Sequence, residues 1–117
     1  MKIQLSYGML PVTDDEKTIN DIDPSSFTIF IQNGAGIDGA GSMLSDKLTS
    51  QGYNVTGKGN AESNIYQETL IIYKDESMKG NAQAVKNSIN NGRLVNGNGL
   101  YNMTTDVLII IGADLKI

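Results

Sequence analysis

Neither cysteine nor histidine occurs among the 117 residues. Their absence removes thiol nucleophiles, disulfides, imidazole bases and the usual zinc or copper ligands. It does not fix a compartment, because a cysteine-free chain suits reducing and oxidising surroundings alike. Long apolar runs are missing as well. No window approaches the roughly 18 apolar residues of a membrane span. Residues 1–10 carry one lysine and too short an apolar stretch for a secretory signal. The chain therefore reads as soluble, with membrane attachment left to an anchor outside these residues. Positive charge is scarce too. The formal net charge is −4, so the basic footprint of a nucleic-acid binder is lacking and no nucleic-acid partner is expected.

What is present has the length of one domain with a modest core, preceded by an acidic arm. Residues 1–24 hold Asp14, Asp15, Glu16, Asp21 and Asp23 against Lys2 and Lys17, a net of −3, which leaves −1 of the total −4 for the remainder. Within the arm, residues 1–25, Ile3, Leu5 and Tyr7 alternate with Lys2, Gln4 and Ser6, a short strand pattern. Pro11 and the polar stretch 13–23, closed by Asp23-Pro24, read as a linker. The folded domain is placed at residues 26–117.

The domain reads β-α-β-β-α-β. Residues 27–32 form an apolar strand and 33–36 a turn. Residues 37–51 form a helix with Ile37, Ala40, Leu44 and Leu48 on one face, joined by Met43. Gly52 is the expected stop, and Lys47 suits the negative end of the dipole. Residues 53–56 make a short polar strand, expected at a sheet edge, and 57–67 a loop. A second apolar strand covers 68–74. Asp75 then caps a helix whose buried stripe is Met78, Ala82, Val85 and Ile89, ended by Asn91-Gly92. Residues 93–95 offer a brief strand and 96–99 a turn. Residues 106–111 close the domain as a strand apolar on both faces. The fold class is α+β, a four-stranded sheet with two helices on one face, ferredoxin-like or close to it. At a bare edge the closing strand would need cover. The arm strand, from the same chain or by preference a neighbour, is the expected cover. That makes the arm dispensable for folding and needed for homo-oligomer formation.

The turn after the first strand spells G-x-G-x-x-G at Gly34, Gly36 and Gly39. A dinucleotide site needs an acid about 20 positions on, at the end of the second strand. Thr56-Gly57-Lys58 supplies none, and the chain is too short for a doubly wound sheet. The plainer reading is a tight strand-to-helix turn, with Gly34 and Gly36 giving positive φ or a sharp bend. Gly39 and Gly41 would then let the helix lie close to the sheet. Between these stands an anion cradle at the helix start, which Asp38 opposes. Asn33, Gly34, Gly36 and Gly39 are therefore the candidate ligand-binding residues. Asp14-Asp15-Glu16, Asp75-Glu76, Asp106 and Asp114 are the available carboxylates, and no partner marks any two as acid and base. No catalytic residue, metal ligand or cofactor is assigned, and an enzyme is not expected. Tyr53, Tyr66, Tyr73 and Tyr101 suit either a sugar-stacking platform or half-buried packing.

Residues 26–115 resemble the C-terminal domain of the LytR-CpsA-Psr cell-envelope proteins. Ile29-Phe30-Ile31-Gln32-Asn33-Gly34-Ala35-Gly36-Ile37-Asp38-Gly39-Ala40-Gly41 is similar to the family's apolar strand, N-G-x-G-x-x-G turn and small-residue helix. Leu48-Thr49-Ser50-Gln51-Gly52-Tyr53-Asn54-Val55 matches the helix end, G-[FY] and second strand. Gly59-Asn60-Ala61, Tyr66 and Thr69-Leu70-Ile71-Ile72-Tyr73 follow its N-A…Y…T-x-[IV]-x-Y pattern. Asp106-Val107-Leu108-Ile109-Ile110-Ile111-Gly112-Ala113-Asp114 is similar to its closing D-[VI]-x-[VI]-[VI]-[LI]-G-x-D. In full-length members the phosphotransfer that attaches glycopolymers to peptidoglycan belongs to a separate domain, so no catalytic residue carries over. The family's label of transcriptional attenuator finds no basic recognition helix here. The resemblance implies an extracytoplasmic setting at the cell envelope of a Gram-positive-type bacterium. There the domain would be a non-catalytic accessory module binding peptidoglycan, teichoic acid or another envelope protein. Two alternatives stand beside it: an oligomerisation module using the arm or a sheet edge, and a small-anion or nucleotide-binding enzyme fragment.

Overall fold

The protein is described by a computed structural model covering residues 22–98 and 103–115. The arm strand at residues 2–7, most of the linker, and Gly99 and Tyr101 lie outside the described residues.

Alternating Ile29 and Ile31 form β1 (Thr28–Asn33) and are wholly buried on one face, with Phe30 on the other. Helix α1 (Ala40–Ser50) buries Ala40, Leu44 and Leu48, one residue per turn. Gly52, at φ 93°, lets the chain reverse after it. Strand β2 (Asn54–Asn60) follows, then β3 (Leu70–Tyr73). Asp75 caps a 3-10 turn at Glu76–Met78 by accepting a hydrogen bond from the Ser77 backbone N–H. The turn runs into α2 (Lys79–Ile89), which buries Ala82, Ala84, Val85 and Ile89. Strands β4 (Arg93–Asn96) and β5 (Val107–Ile111) complete the sheet.

The strand order is β2-β1-β5-β3-β4. Helix α1 joins the adjacent parallel strands β1 and β2, and α2 joins the adjacent parallel strands β3 and β4. Strand β5 lies between the two βαβ units, parallel to β1 and antiparallel to β3. Both helices cover one face, where Ile29, Ile31, Ile71, Val107, Ile109 and Ile111 meet Leu44, Leu48, Val85 and Ile89. A smaller cluster of Leu70, Ile72, Leu108 and Ile110 occupies the other face, packed by Phe30, Tyr66, Val95 and Met103.

The α+β class and the one-sided pair of helices agree with the sequence reading, as does the edge position of polar β2. The sheet has five strands rather than four, because residues 93–96 pair with β3 along their whole length. Strand β5 is the central strand, buried at all of its residues, which is where a strand apolar on both faces belongs. Both its ladders are occupied, so it needs no cover from the arm. Strand β2 continues through Gly57 and Gly59 into what reads as loop. Met43 and Ile37 are 48% and 41% exposed. The helix starts only at Ala40, and Met43, one position before Leu44, points about 100° away from the buried stripe.

Candidate functional site

The turn after β1 is filled by its own asparagine. Asn33 Oδ1 accepts from the backbone N–H groups of Ala35 and Gly36, each at 3.1 Å. Asn33 Nδ2 donates to the Ile37 carbonyl at 2.6 Å. Two N–H groups of the turn, those of Ala35 and Gly36, are therefore engaged within it. Gly34 is buried beneath. Its N–H donates to the Ile111 carbonyl at 2.9 Å, and its carbonyl accepts from Tyr66 N–H at 3.1 Å. A Cβ on Gly34 would sit 2.6 Å from Tyr66 Cδ1 and 2.9 Å from the Ile111 carbonyl. Crowding, not positive φ, requires glycine here. Positive φ belongs to Gly36 (68°) and Gly39 (77°). Gly39 is the residue before α1, and nothing lies within 4 Å of where its Cβ would be, so it turns the chain rather than admitting a close approach.

Of the four candidates, the structure brings Asn33 and Gly39 to one open cleft of about 270 Å³. Gly41, Ser42, Lys58 and Asn60 share its walls. Gly34 faces Tyr66 and Ile110 instead, and Gly36 turns towards Asn64. Lys58 arrives here because β2 is longer than its polar pattern suggests.

The two carboxylates around β5 are structural. Asp106 Oδ2 accepts from Thr28 N–H at 3.0 Å and from its hydroxyl at 3.2 Å. Asp114 Oδ1 accepts from Thr69 N–H at 2.8 Å and from its hydroxyl at 2.9 Å. They clamp opposite ends of one strand and cannot share a substrate atom. Asp75 holds the Ser77 hydroxyl and backbone N–H, and these bonds keep its carboxyl below the usual range. Asp23 is lowered in the same way by the backbone N–H and hydroxyl of Ser25. Among the described residues no group of three or more acids gathers as a metal site.

The described tyrosines do not form a platform. Tyr53 is buried, its hydroxyl against the Ala84 carbonyl at 3.2 Å and Ser88 Oγ at 2.7 Å. Its ring meets Phe27 edge-on with centroids 6.0 Å apart. Tyr73 is buried as well. Tyr66 reaches a cavity. It lines a groove of about 560 Å³ on the face opposite the helices, with Ile65, Gln67, Glu68, Leu70 and Arg93. Ile65 is 77% exposed. Glu68 Oε1 accepts from Arg93 Nε at 2.8 Å. Sequence reasoning missed this groove. Its one signal was the pair Ile65-Tyr66 set between Ser63-Asn64 and Gln67.

Residues 26–115 match a family model described as the LytR cell envelope-related transcriptional attenuator. No curated protein matches the sequence. The fold is similar to the soluble domain of a conserved hypothetical secreted protein from Mycobacterium marinum. The TM-score is 0.60 at 13% identity, covering 94% of this chain and 76% of that one. It is also similar to the C-terminal domain of RV0431, with a TM-score of 0.54 at 18% identity, covering 97% of this chain and 90% of that one. At these identities the likeness is one of fold.

Proposed function

The chain belongs to the LytR C-terminal domain family of cell-envelope-related proteins, and from that premise we propose that it is a non-catalytic accessory domain that binds a cell-wall polymer or a protein partner outside the cytoplasm. The observation that carries the reading is the make-up of the Ile65 groove. It offers an exposed aliphatic side chain and a tyrosine ring, while its one acid, Glu68, is held by Arg93. Such a surface binds by apolar contact and orients by polar rims, and it holds no free acid–base pair for chemistry. The envelope setting rests on the family. It is supported by the fold shared with a domain of a secreted protein. No described helix is long and apolar enough to cross a membrane.

Sedimentation with purified peptidoglycan, teichoic acid and envelope extract, comparing the full chain with Ile65→Asp, tests this reading. Ile65 is exposed, so the variant should fold normally. Retention that falls about tenfold or more in Ile65→Asp is the expected result, matching the loss of a buried apolar anchor. Equal retention of both proteins would remove the groove from the account.

A further inference from the structure

We propose that the free edge of β2 seats the chain's own N-terminal segment, residues 2–7, as a sixth strand. This surface is separate from the Ile65 groove, and the proposal does not depend on it.

Strand β2 ends the sheet. Its outer row of backbone N–H and C=O groups has no strand beside it among the described residues. At seven residues it is the longest strand described, about 20 Å. It contains no proline and a single charge, Lys58. Its one irregularity is a bulge at Thr56, where the register with β1 shifts by a residue, and a long, nearly uncharged edge of this kind is normally guarded. The opposite edge, β4, is only four residues long and has less to protect.

Gly57 and Gly59 leave the face opposite the helices bare at this edge, and Phe30 from β1 reaches over both. A Cβ on Gly57 would lie 2.8 Å from the Phe30 ring, and one on Gly59 would lie 3.9 Å from it. The half-buried ring thus stands at the border of the sheet, where side chains of a further strand would meet it. Ile3, Leu5 and Tyr7 alternate with polar residues, so an added strand puts all three on one face, and the apolar Phe30 ring favours this one.

The chain also enters the fold at the right place. Ile22 packs on the core, and the 3-10 turn at Pro24–Ser26 lies against β2. A Cβ on Gly52, just before the strand, would be 3.4 Å from Pro24. From Tyr7 to Ile22 the chain can span up to about 50 Å, more than the length of β2. An antiparallel approach puts Tyr7 near Asn54 with chain to spare. A tether this short gives the segment a millimolar effective concentration at its own edge, which favours it over a second copy.

Amide hydrogen exchange on the full chain, read by mass spectrometry beside sedimentation, tests this against Leu5→Pro. Proline removes a ladder donor and lies outside the described fold, so the domain's circular dichroism should not change. The expected result is a monomer in which residues 2–7 and part of 54–60 exchange more slowly than in Leu5→Pro by about tenfold or more. Unprotected residues 2–7 in the full chain would overturn the proposal. So would a concentration-dependent dimer that Leu5→Pro dissolves, because the occupant would then be a second copy.

Discussion

Asp114 and Thr69 tie the end of β5 to the start of β3 through one carboxylate oxygen, which accepts both the Thr69 N–H at 2.8 Å and its hydroxyl at 2.9 Å. The same hydroxyl accepts from Gly112 N–H at 3.0 Å, and Thr69 is fully buried. Asp106 and Thr28 repeat the device at the other end of the strand, with Thr28 Oγ1 accepting from Asp106 N–H at 3.1 Å. The central strand is thus pinned at both ends by an aspartate and a threonine from a neighbouring strand.

Replacing Asp114 by alanine orphans a buried hydroxyl and a backbone N–H together. The expected cost is about 1–3 kcal/mol, read as a lower urea midpoint with unchanged slope. Asparagine at 114 keeps an acceptor and should recover part of it. An alanine variant as stable as the parent would show that water replaces the carboxylate freely.

The engaged turn makes a prediction about anions. Inorganic phosphate at millimolar concentration should leave the melting temperature of the native chain unchanged, because the Ala35 and Gly36 N–H groups already meet Asn33. Asn33→Ala should lose about 1 kcal/mol from the missing turn bonds. A phosphate-dependent rise in the native melting temperature, abolished by changing Gly39 or Lys58, would instead establish an anion site at the cleft.

Much of this layout could be read in the chain itself. The buried stripe of α2, the Asp75 cap and the Gly52 stop are local matters, decided by residues within one or two turns. The polar pattern of β2 likewise announced an edge. Strand order is different. It depends on which ladders residues far apart in sequence can complete. Val107 to Ile111 announce burial on both faces but do not name their neighbours β1 and β3. Residues 93–95 read as a brief strand, but nothing in them says that they pair in this sheet. They join the sheet because α2 returns the chain alongside β3. The glycine turn was legible as a turn. That Asn33 would fill it depends on a rotamer, which the fingerprint does not record. The Ile65 groove was hidden because a single exposed isoleucine has no period.

Gly34 is constrained by space. Valine there would press on the Tyr66 ring and on the Ile111 carbonyl, the latter at 2.9 Å even for the first carbon. Backbone gives little, so the expected loss is about 1–3 kcal/mol or more. Chemical denaturation measures it. A valine variant of native stability would mean that β1 and β5 can separate at this point without cost.

Asp75 predicts a pH dependence at the start of α2. The Ser77 hydroxyl and backbone N–H hold its folded carboxyl below the ordinary value. Stability from this cap is therefore fully present above the unfolded aspartate value, near 3.9. It is lost as pH falls through the lower folded value. Asp75→Asn should flatten that part of the acid limb while leaving the neutral region nearly unchanged. Exchange rates of the first amides of α2 between pH 5 and the acid limb report the effect directly. Equal acid slopes in both proteins would place the loss elsewhere.

The last prediction concerns Phe30 and Gly57, which are register partners across β1 and β2. The ring leaves no room for a Cβ at 57, where the separation would be 2.8 Å. Gly57→Ala should cost about 1–3 kcal/mol by forcing the ring off its seat. The β preference of alanine over glycine works in the opposite direction, so the sign of the measured change decides between crowding and chain entropy. In a Phe30→Leu background the crowding is relieved, and the alanine should become neutral or mildly stabilising. A double-mutant cycle separates the two contributions. A coupling of about 0.5 kcal/mol or more is expected for residues in contact. Additive changes would show that the ring moves aside without loss, and that β2 keeps its glycines for some reason other than Phe30.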